Sequence, residues 1–226
     1  MKVLIIGSPK QTAEFEALLP ADADPTIGHD IEEMAFAIPN FKLIFDLSFD
    51  QAPNRLTYYS KAKGAILVAG SVIQSLAQAV HQYGKPAPVT LVGWNTLPTF
   101  IDRPVMECSV LDEADKPKGE EVGRLLGREV QWVADRVGMV TPRILLMLIN
   151  EACYTHQEGT ASMQDIDLGM RLGTNYPRGP LAWADAIGVD VVHRALEALH
   201  RDTGDERYRI SPLLRKHYLT GSAFTD

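Results

Sequence analysis

Hydrophobic residues in the first half of the chain occur as short continuous runs, each followed by a segment with helical spacing. The first run, VLII, ends at a glycine and gives way to a helical pattern over 12–19. Runs of this kind, rich in leucine and β-branched residues, are typical of strands buried on both faces of a sheet. The predicted strands are 3–6, 25–29, 42–47, 65–69, 89–92 and 105–110.

The segments between these runs have the spacing of short helices, as at 31–37 and 71–83. Strands that alternate with helices in this way predict a mostly parallel sheet with helices on both faces. We therefore expect an α/β fold for this half of the chain, with about six or more strands.

The pattern changes after DKPKG at 115–119, a polar stretch with two helix breakers that predicts a hinge. A further strand is predicted at 130–134, and the rest of the chain reads as helix, the longest segment being 141–157. The chain is therefore predicted to form two domains, an α/β domain over 1–117 and an all-helical domain over 118–226.

Helix ends in the second half carry clear signals. Ser162 followed by Asp165 resembles a capping box, which predicts that a helix begins there. Pro180 suits the first position of a helix, and Gly188 suits its end.

Composition excludes several classes of function. The formal charge of −7 has no compensating basic stretch, so nucleic acids and anionic membranes are poor partners. Cys108 and Cys153 lie in apolar patterns without metal-ligand spacing, which predicts two buried thiols and no metal site. The opening apolar run is too short for a signal peptide, and no run is long enough to span a bilayer. A cytoplasmic protein is expected.

The turn after the first strand is the first candidate site. A pyrophosphate needs close backbone approach and free N–H groups at a helix start, and three glycines usually allow that approach. Here only Gly7 remains, Pro9 removes one N–H group, and Lys10 could supply a positive charge. The pattern favours an ordinary strand–helix turn, with a nucleotide phosphate held by Gly7 and Lys10 as the alternative.

The second candidate site is the loop after the strand at 89–92. Glu107 stands among apolar residues of the next strand, and a carboxylate in such a place needs a partner. Asn95 could hydrogen-bond to it but could not transfer a proton. A structural Asn–Glu contact is the simpler interpretation. The six histidines are expected at surface or interface positions, since none follows a strand of the first domain as a loop residue.

Residues 128–216 resemble the C-terminal domain of 3-hydroxyacyl-CoA dehydrogenases. The motifs that carry the resemblance are NEA, EGTAS and DID at 150–167, YPRGPLAWAD at 176–185, GVD at 188–190 and RYRISPLLRK at 207–216. The resemblance implies a helical domain that forms a dimer and closes over an acyl-CoA. The first half resembles a shortened version of the family's NAD-binding Rossmann domain, with the region after the second strand reduced to 30–41.

The resemblance also assigns site positions. Gly93 matches the glycine of the family's catalytic loop, and Glu107 matches the glutamate that orients the catalytic histidine, but the histidine position holds Asn95. Pro142 stands at the family's asparagine position. Ser71 or Ser75 would stand in for the family's serine. Losing a general base typically costs about two to four orders of magnitude in rate, so the resemblance implies a chain that lost NAD-dependent hydride transfer.

Three functions stay open at this point. The favoured one is a dimeric scaffold that binds an acyl-CoA or a partner protein without turnover. The second is an active NAD(P)-dependent 3-hydroxyacyl-CoA oxidoreductase of fatty acid metabolism, with Glu107 as base and Lys10 at the phosphate. The third is a lyase or hydratase that acts on a thioester through Glu107 alone. No cofactor is expected, except NAD if the dinucleotide site is rebuilt.

Assembly is predicted from the helix at 141–157, which is apolar on more than one side. Such a helix must be buried on several faces, and the resemblance places it at a two-fold axis. We expect a homodimer formed mainly by 141–200, with a heterodimer with an intact family member as a variant.

Overall fold

The computed structural model describes residues 1–86 and 88–225, and the chain divides into two compact units, Met1–Met139 and Val140–Asp226. The first unit contains a seven-stranded sheet and the second contains helices. The predicted order, an α/β part followed by a helical part, is confirmed. Among the described residues, no helix combines the length and hydrophobicity that crossing a bilayer needs.

The sheet has the strand order β2-β1-β3-β4-β5-β6-β7. All neighbouring pairs are parallel except β5 and β6, which are antiparallel. The ten residues between these two strands form a loop, which is too short for a helical crossover. The strands are β1 (Lys2–Ile6), β2 (Asp24–Gly28), β3 (Leu43–Asp46), β4 (Ile66–Gly70), β5 (Thr90–Trp94), β6 (Val105–Val110) and β7 (Glu129–Trp132).

Helices cover both faces of this sheet, and each face has its own core. One core contains side chains such as Leu4, Ile44 and Leu67, and the other contains Ile5, Phe45 and Val68, as the alternation along strands requires. The helices of this unit are α1 (Pro9–Glu16), α2 (Ile31–Met34), α3 (Leu56–Tyr59), α4 (Leu76–Tyr83) and α5 (Lys116–Leu125).

Two helices begin at other residues than the hydrophobic pattern predicts. Helix α1 begins at Pro9 because Ser8 caps it, with Gln11 completing a capping box. Helix α4 begins at Leu76 because Ser75 caps it, so the preceding residues form a loop. In both cases a serine three residues before a glutamine sets the start.

The first unit extends further than 1–117. The stretch predicted as a hinge is the start of α5, since a proline is tolerated in the first turn of a helix. Strand β7 then pairs with β6, and the side chain of Trp132 packs against Gly119. Residues 118–139 therefore belong to the sheet unit, and the boundary lies at 139/140.

Over its described residues, 140–225, the second unit contains the α-helices α6 (Thr141–Gln157), α7 (Met163–Thr174), α8 (Pro180–Ile187), α9 (Val189–Thr203) and α10 (Pro212–Thr220), with a 3-10 turn at Glu206–Tyr208 before the last of them. Ser162 caps α7 and Gly188 ends α8, as the sequence predicts. Cys108 and Cys153 are free and buried, one in each unit. Burial raises the pKa of the Cys153 thiol to about 12 and raises that of Cys108 further.

Candidate functional site

The carboxyl edge of the parallel strands is the edge at which a sheet of this kind forms its ligand site. In an open α/β sheet, ligands bind outside the carboxyl ends of the strands, where the strand order reverses. In this sheet the reversal lies between β1 and β3. The residues that surround it come from the turn after β1, the end of β3 and the loop after β5.

The turn after β1 uses its own N–H groups. The Ser8 N–H donates to Gln11 Oε1 at 3.0 Å, and the Gln11 N–H donates to Ser8 Oγ at 3.4 Å. The Gly7 N–H donates to the Gly28 carbonyl at 3.4 Å, and Pro9 has no N–H group. Lys10 lies exposed on the first turn of α1. A pyrophosphate at this position would need these N–H groups, so the turn does not fit a dinucleotide phosphate.

The side chain of Gln11 fills the crevice itself. Its Nε2 donates to the carbonyls of Leu47 at 2.6 Å and Thr96 at 2.9 Å, which joins α1 to the ends of β3 and β5. Thr96 Oγ1 donates to the same Leu47 carbonyl at 2.6 Å. Gln11 is 2% exposed. A buried amide with saturated hydrogen bonds therefore occupies the place where the fold would hold NAD, and the residues present do not fit that cofactor.

A buried carboxyl lies at the end of β3. Asp46 accepts hydrogen bonds from Tyr59 OH at 2.7 Å and from Arg55 Nη1 at 3.1 Å. Desolvation raises the pKa of Asp46 to about 6, although Arg55 and the hydrogen bonds act in the opposite direction. Arg55 Nη1 also donates to Ser48 Oγ at 2.8 Å. This cluster anchors the chain between β3 and α3.

Of the pair predicted from the sequence, Asn95 directly follows β5 and Glu107 lies on the neighbouring strand β6. The Asn95 N–H donates to the Glu107 carbonyl at 3.0 Å, so the antiparallel pairing of β5 and β6 brings the two residues together. Asn95 Oδ1 accepts from the Leu97 N–H at 3.4 Å, which makes its side chain part of the turn. Both residues are buried. A hydrogen bond between their side chains stays a prediction.

Gly93 and Ser109 explain the close packing beside this pair. A Cβ at Gly93 would lie 2.5 Å from Ser109 Oγ, so only glycine fits. Ser109 Oγ donates to Asp135 Oδ1 at 3.4 Å, and Asp135 accepts from the N–H groups of Leu76 and Ala77 at the start of α4. The carboxylate of Asp135 thus caps α4 and joins it to β6.

The serines that the resemblance implies as stand-ins have local partners. Ser71 Oγ donates to the Gln74 carbonyl at 3.1 Å, and Ser75 Oγ accepts from the Gln78 N–H at 3.2 Å as the cap of α4. Asp50 accepts from the N–H groups of Val72 and Ile73, both at 2.7 Å. These groups therefore hold the loop between β4 and α4.

Pro142 belongs to the second unit, in the first turn of α6, where it is buried. Its neighbour Arg143 donates to Tyr208 OH at 2.9 Å and lies over the Tyr208 ring. A proline here offers no side-chain hydrogen bond.

Asn150, from the NEA motif, ties two helices of the second unit together. Its Nδ2 donates to the Arg209 carbonyl at 2.9 Å, and its Oδ1 accepts from the Ser211 N–H at 2.9 Å. Ser211 caps α10 through the Leu214 N–H. The NEA and RISP motifs thus meet in one buried hydrogen-bond network.

Two aspartates of the other motifs also bind backbone N–H groups. Asp167 accepts from Leu181 and Ala182, both at 2.8 Å, and so caps α8. Asp185 accepts from the N–H groups of Phe224 and Thr225 and anchors the segment after α10. The motif residues that carry the resemblance therefore have structural roles in this unit.

His193 differs from its prediction as a surface or interface residue. It is buried on α9, and its ring stacks on Tyr218 with centroids 3.9 Å apart. Within the described residues, neither ring nitrogen has a hydrogen-bond partner. Desolvation lowers the pKa of His193, and Arg215 lowers it further, while Glu197 raises it. The ring therefore packs as a neutral aromatic group.

Nothing in the hydrophobic pattern indicates the role of Gln11 or Asp46. The only local signal for Gln11 is Ser8 three residues before it. For Asp46 the signal is a single carboxyl within the apolar run LIFDL, the same signal that singles out Glu107.

The two units correspond to two known kinds of domain. The family model for the 3-hydroxyacyl-CoA dehydrogenase, C-terminal domain, matches residues 138–223. A 3-hydroxyadipyl-CoA dehydrogenase from Escherichia coli (strain K12) is 48% identical over 98 residues, which are 43% of this chain and 21% of that protein. A 3-hydroxybutyryl-CoA dehydrogenase from Clostridioides difficile is 28% identical over 216 residues, which are 95% of this chain and 72% of that protein.

Solved structures extend the likeness to the sheet unit. The (S)-3-hydroxybutyryl-CoA dehydrogenase from Ralstonia eutropha superposes with a TM-score of 0.74, covering 97% of this chain and 94% of that one at 21% identity. At that identity the likeness shows the fold alone. The architecture is thus a Rossmann-like α/β domain followed by a helical domain that matches the dehydrogenase C-terminal family model.

Residues 138–223 match the C-terminal domain of 3-hydroxyacyl-CoA dehydrogenases, and the chain as a whole is similar to members of that family at lower identity. Four relatives with higher identity are matched over only 21% to 38% of their own length. The likeness to that family is therefore strongest over the second unit.

Proposed function

We propose that this chain is a dimeric scaffold of the 3-hydroxyacyl-CoA dehydrogenase family that binds an acyl-CoA and does not carry out NAD-dependent hydride transfer. The observation that carries the proposal is the Gln11 side chain, which fills the crevice between β1 and β3 and bonds to Leu47 and Thr96. Opening the crevice would break two buried hydrogen bonds, and the loss of the bond to Thr96 would leave that carbonyl without its donor, at a cost of about 1–3 kcal/mol.

Asn95 supports the same proposal. An asparagine amide has no nitrogen that titrates near neutral pH, so it cannot accept the hydroxyl proton that a general base removes. Its Oδ1 already accepts from the Leu97 N–H. Glu107, whose backbone carbonyl accepts from the Asn95 N–H, thus has no base at position 95 to orient.

Binding of an acyl-CoA is proposed from the relatives. The matched relatives are named as dehydrogenases of 3-hydroxyadipyl-CoA and 3-hydroxybutyryl-CoA, and the second unit of this chain, which resembles theirs most, is held together by the hydrogen bonds of Asn150 and Asp167. A correctly folded second unit would retain whatever thioester contacts its relatives make.

The first prediction concerns ligand binding. Acetoacetyl-CoA should give a saturable signal in calorimetry at micromolar concentrations. NADH should give no saturable change in its fluorescence over the same range, because the turn after β1 offers no phosphate cradle. A family enzyme with the full glycine fingerprint, measured alongside, supplies the positive control.

Micromolar NADH binding would overturn the proposal and favour the active NAD(P)-dependent oxidoreductase, with Lys10 at the phosphate. NADH binding that appears only after Gln11→Gly would support the proposal, because it identifies the amide as the obstruction. Absence of any calorimetric signal with acetoacetyl-CoA would contradict the proposed binding of an acyl-CoA.

The dimer is proposed from the exposed apolar residues of α7. This helix has no buried residue, and Leu168 and Leu172, one turn apart, are 50% and 75% exposed. On α6, Ile144 is 59% exposed. Large apolar side chains exposed at helical spacing are typical of a surface that another protein covers. A second copy of the chain is the occupant that the family resemblance favours.

The second prediction tests this surface. Light scattering should give twice the chain mass of 24.9 kDa for the wild type and the single mass for Leu172→Glu, because a carboxylate at the centre of an apolar interface is desolvated without a partner. Leu219→Glu is the matched control, since Leu219 is 73% exposed on α10, outside 141–200. A wild-type monomer, or equal effects of both variants, would contradict the proposed interface.

A further inference from the structure

A cavity lies at the amino edge of the sheet, opposite to the carboxyl edge described above. Its volume is about 530 Å³, within the range of about 300–1,000 Å³ that is usual for small-molecule sites. The residues that line it come from the first residues of β1, β3, β4 and β5 and from one face of α5. The whole cavity lies within the first unit.

The floor of the cavity is apolar. Leu43 and Val122 are buried members of the second core, and Ile66 and Leu125 are partly buried against it. The core is therefore left incomplete at this edge, where Ile66 and Leu125 keep some contact with solvent. An apolar group of a ligand could remove that surface from water, which is favourable by about 25 cal/mol per Å².

The rim of the cavity is basic, although the chain as a whole carries a charge of −7. Lys118 pairs with Glu121 at 3.1 Å on the same face of α5, and Lys42 Nζ donates to the Lys63 carbonyl at 2.8 Å. Lys2 and Arg124 also line the cavity. Within residues 1–86 and 88–225, these two side chains have no hydrogen bond or ion pair, so their charges are available to a ligand.

We propose that this cavity binds a small amphipathic anion, with its acidic head between Lys2 and Arg124 and its apolar chain over Ile66 and Leu125. The combination of an open apolar floor and two unpaired cations on one rim selects this class over neutral lipids and over inorganic anions. The site is distinct from the thioester binding proposed above and does not depend on it.

The third prediction uses octanoate as the probe, below the concentration at which it self-associates. Octanoate should shift the methyl NMR signals of Leu43, Ile66 and Leu125 in a saturable way. Octanol, which has the chain without the charge, and inorganic phosphate, which has the charge without the chain, should each bind about tenfold more weakly or worse. Octyl phosphate should bind as octanoate does, since both heads are anions.

Substitutions distinguish the contribution of the rim charges to octanoate binding from the contribution of the space inside the cavity. Lys2→Gln and Arg124→Gln should each weaken octanoate binding about threefold, and the double variant about tenfold, the size expected for exposed ion pairs. Thr90→Trp should abolish binding, because Thr90 lines the cavity at the start of β5 and an aromatic residue there is compatible with a strand. Lys61→Gln, an exposed lysine outside the cavity, is the matched control and should change nothing.

Three results would each overturn the proposal. Octanol binding as tightly as octanoate would show that the rim charges do not contribute. Equal weakening by Lys61→Gln and Arg124→Gln would show a general charge effect. Methyl shifts absent from Leu43, Ile66 and Leu125 would show that the ligand binds elsewhere or not at all.

Discussion

Asn95→His should leave the chain without measurable turnover of acetoacetyl-CoA in the presence of NADH, as in the wild type. A restored general base is worth about two to four orders of magnitude in rate, but only where the reactants are held in place. Gln11 still closes the crevice between β1 and β3, and Pro142 still occupies the position where the family resemblance places an asparagine. A new imidazole beside Glu107 would therefore have no bound reactants to act on.

The measurement is a stopped assay of NADH oxidation at high protein concentration, with an intact family enzyme as reference. The matched comparison is Asn95→Gln, which keeps an amide at the same position and controls for changes in the buried turn. A rate for Asn95→His that exceeds both the wild type and Asn95→Gln by about a hundredfold or more would show that the histidine was the only missing part. That result would contradict the proposed loss of cofactor binding.

The central strands of the first unit, such as β1, β3, β4 and β5, could be predicted from the sequence because each is buried on both faces. Runs such as those in β1 and β4 must be apolar throughout, and few other structures need four or five consecutive apolar residues. The parallel arrangement followed from the helices between them. The predicted domain boundary at 117 differs from the boundary at 139/140 in the structure because the prediction treats Pro117 as a helix breaker. A proline in the first turn of a helix interrupts no hydrogen bond, so α5 contains it.

The hydrogen-bond partners of the polar side chains at the carboxyl edge of the sheet could not be predicted in the same way. Gln11 bonds to residues 36 and 85 positions away along the chain, and such partners are set by the strand order rather than by local pattern. The partners of Asp46 could not be predicted from the local pattern either. Arg55 lies just before α3 and Tyr59 is the last residue of α3, and the fold brings both to the end of β3. A polar residue in an apolar run indicates that a partner exists without indicating which one.

The family resemblance gave the fold of the second unit but not its chemistry. The motif residues Asn150, Asp167 and Asp185 accept or donate hydrogen bonds at helix ends. These residues stabilise the fold of this unit, so their presence does not by itself indicate activity. The positions that would decide activity lie elsewhere, at Asn95, Glu107 and the turn after β1.

The structural role of these motif residues leads to the last prediction. Gly179→Ala should lower the free energy of unfolding by about 3 kcal/mol or more. The Gly179 backbone has an ordinary φ of −68°, so the cost is steric: a Cβ there would lie far inside van der Waals contact with Asp167. Moving Asp167 away would break its two 2.8 Å bonds to Leu181 and Ala182, which cap α8. Gly173→Ala in α7 is the matched control, since a Cβ there meets open space, and it should be neutral or stabilising by up to about 1 kcal/mol.

A double-mutant cycle makes the mechanism testable. Asp167→Gly alone should cost about 2–4 kcal/mol, from the lost cap and from a glycine within α7, and it removes the side-chain atoms of Asp167, including its Cβ, that a Cβ at Gly179 would meet. Gly179→Ala should therefore cost little when introduced into Asp167→Gly, so the two changes should be non-additive by about 2 kcal/mol, which is within the range for residues in contact. Denaturant unfolding of the four proteins, followed by tryptophan fluorescence from Trp183 on α8, measures this coupling. Additive costs would mean that Gly179 is needed for some reason other than the approach of Asp167.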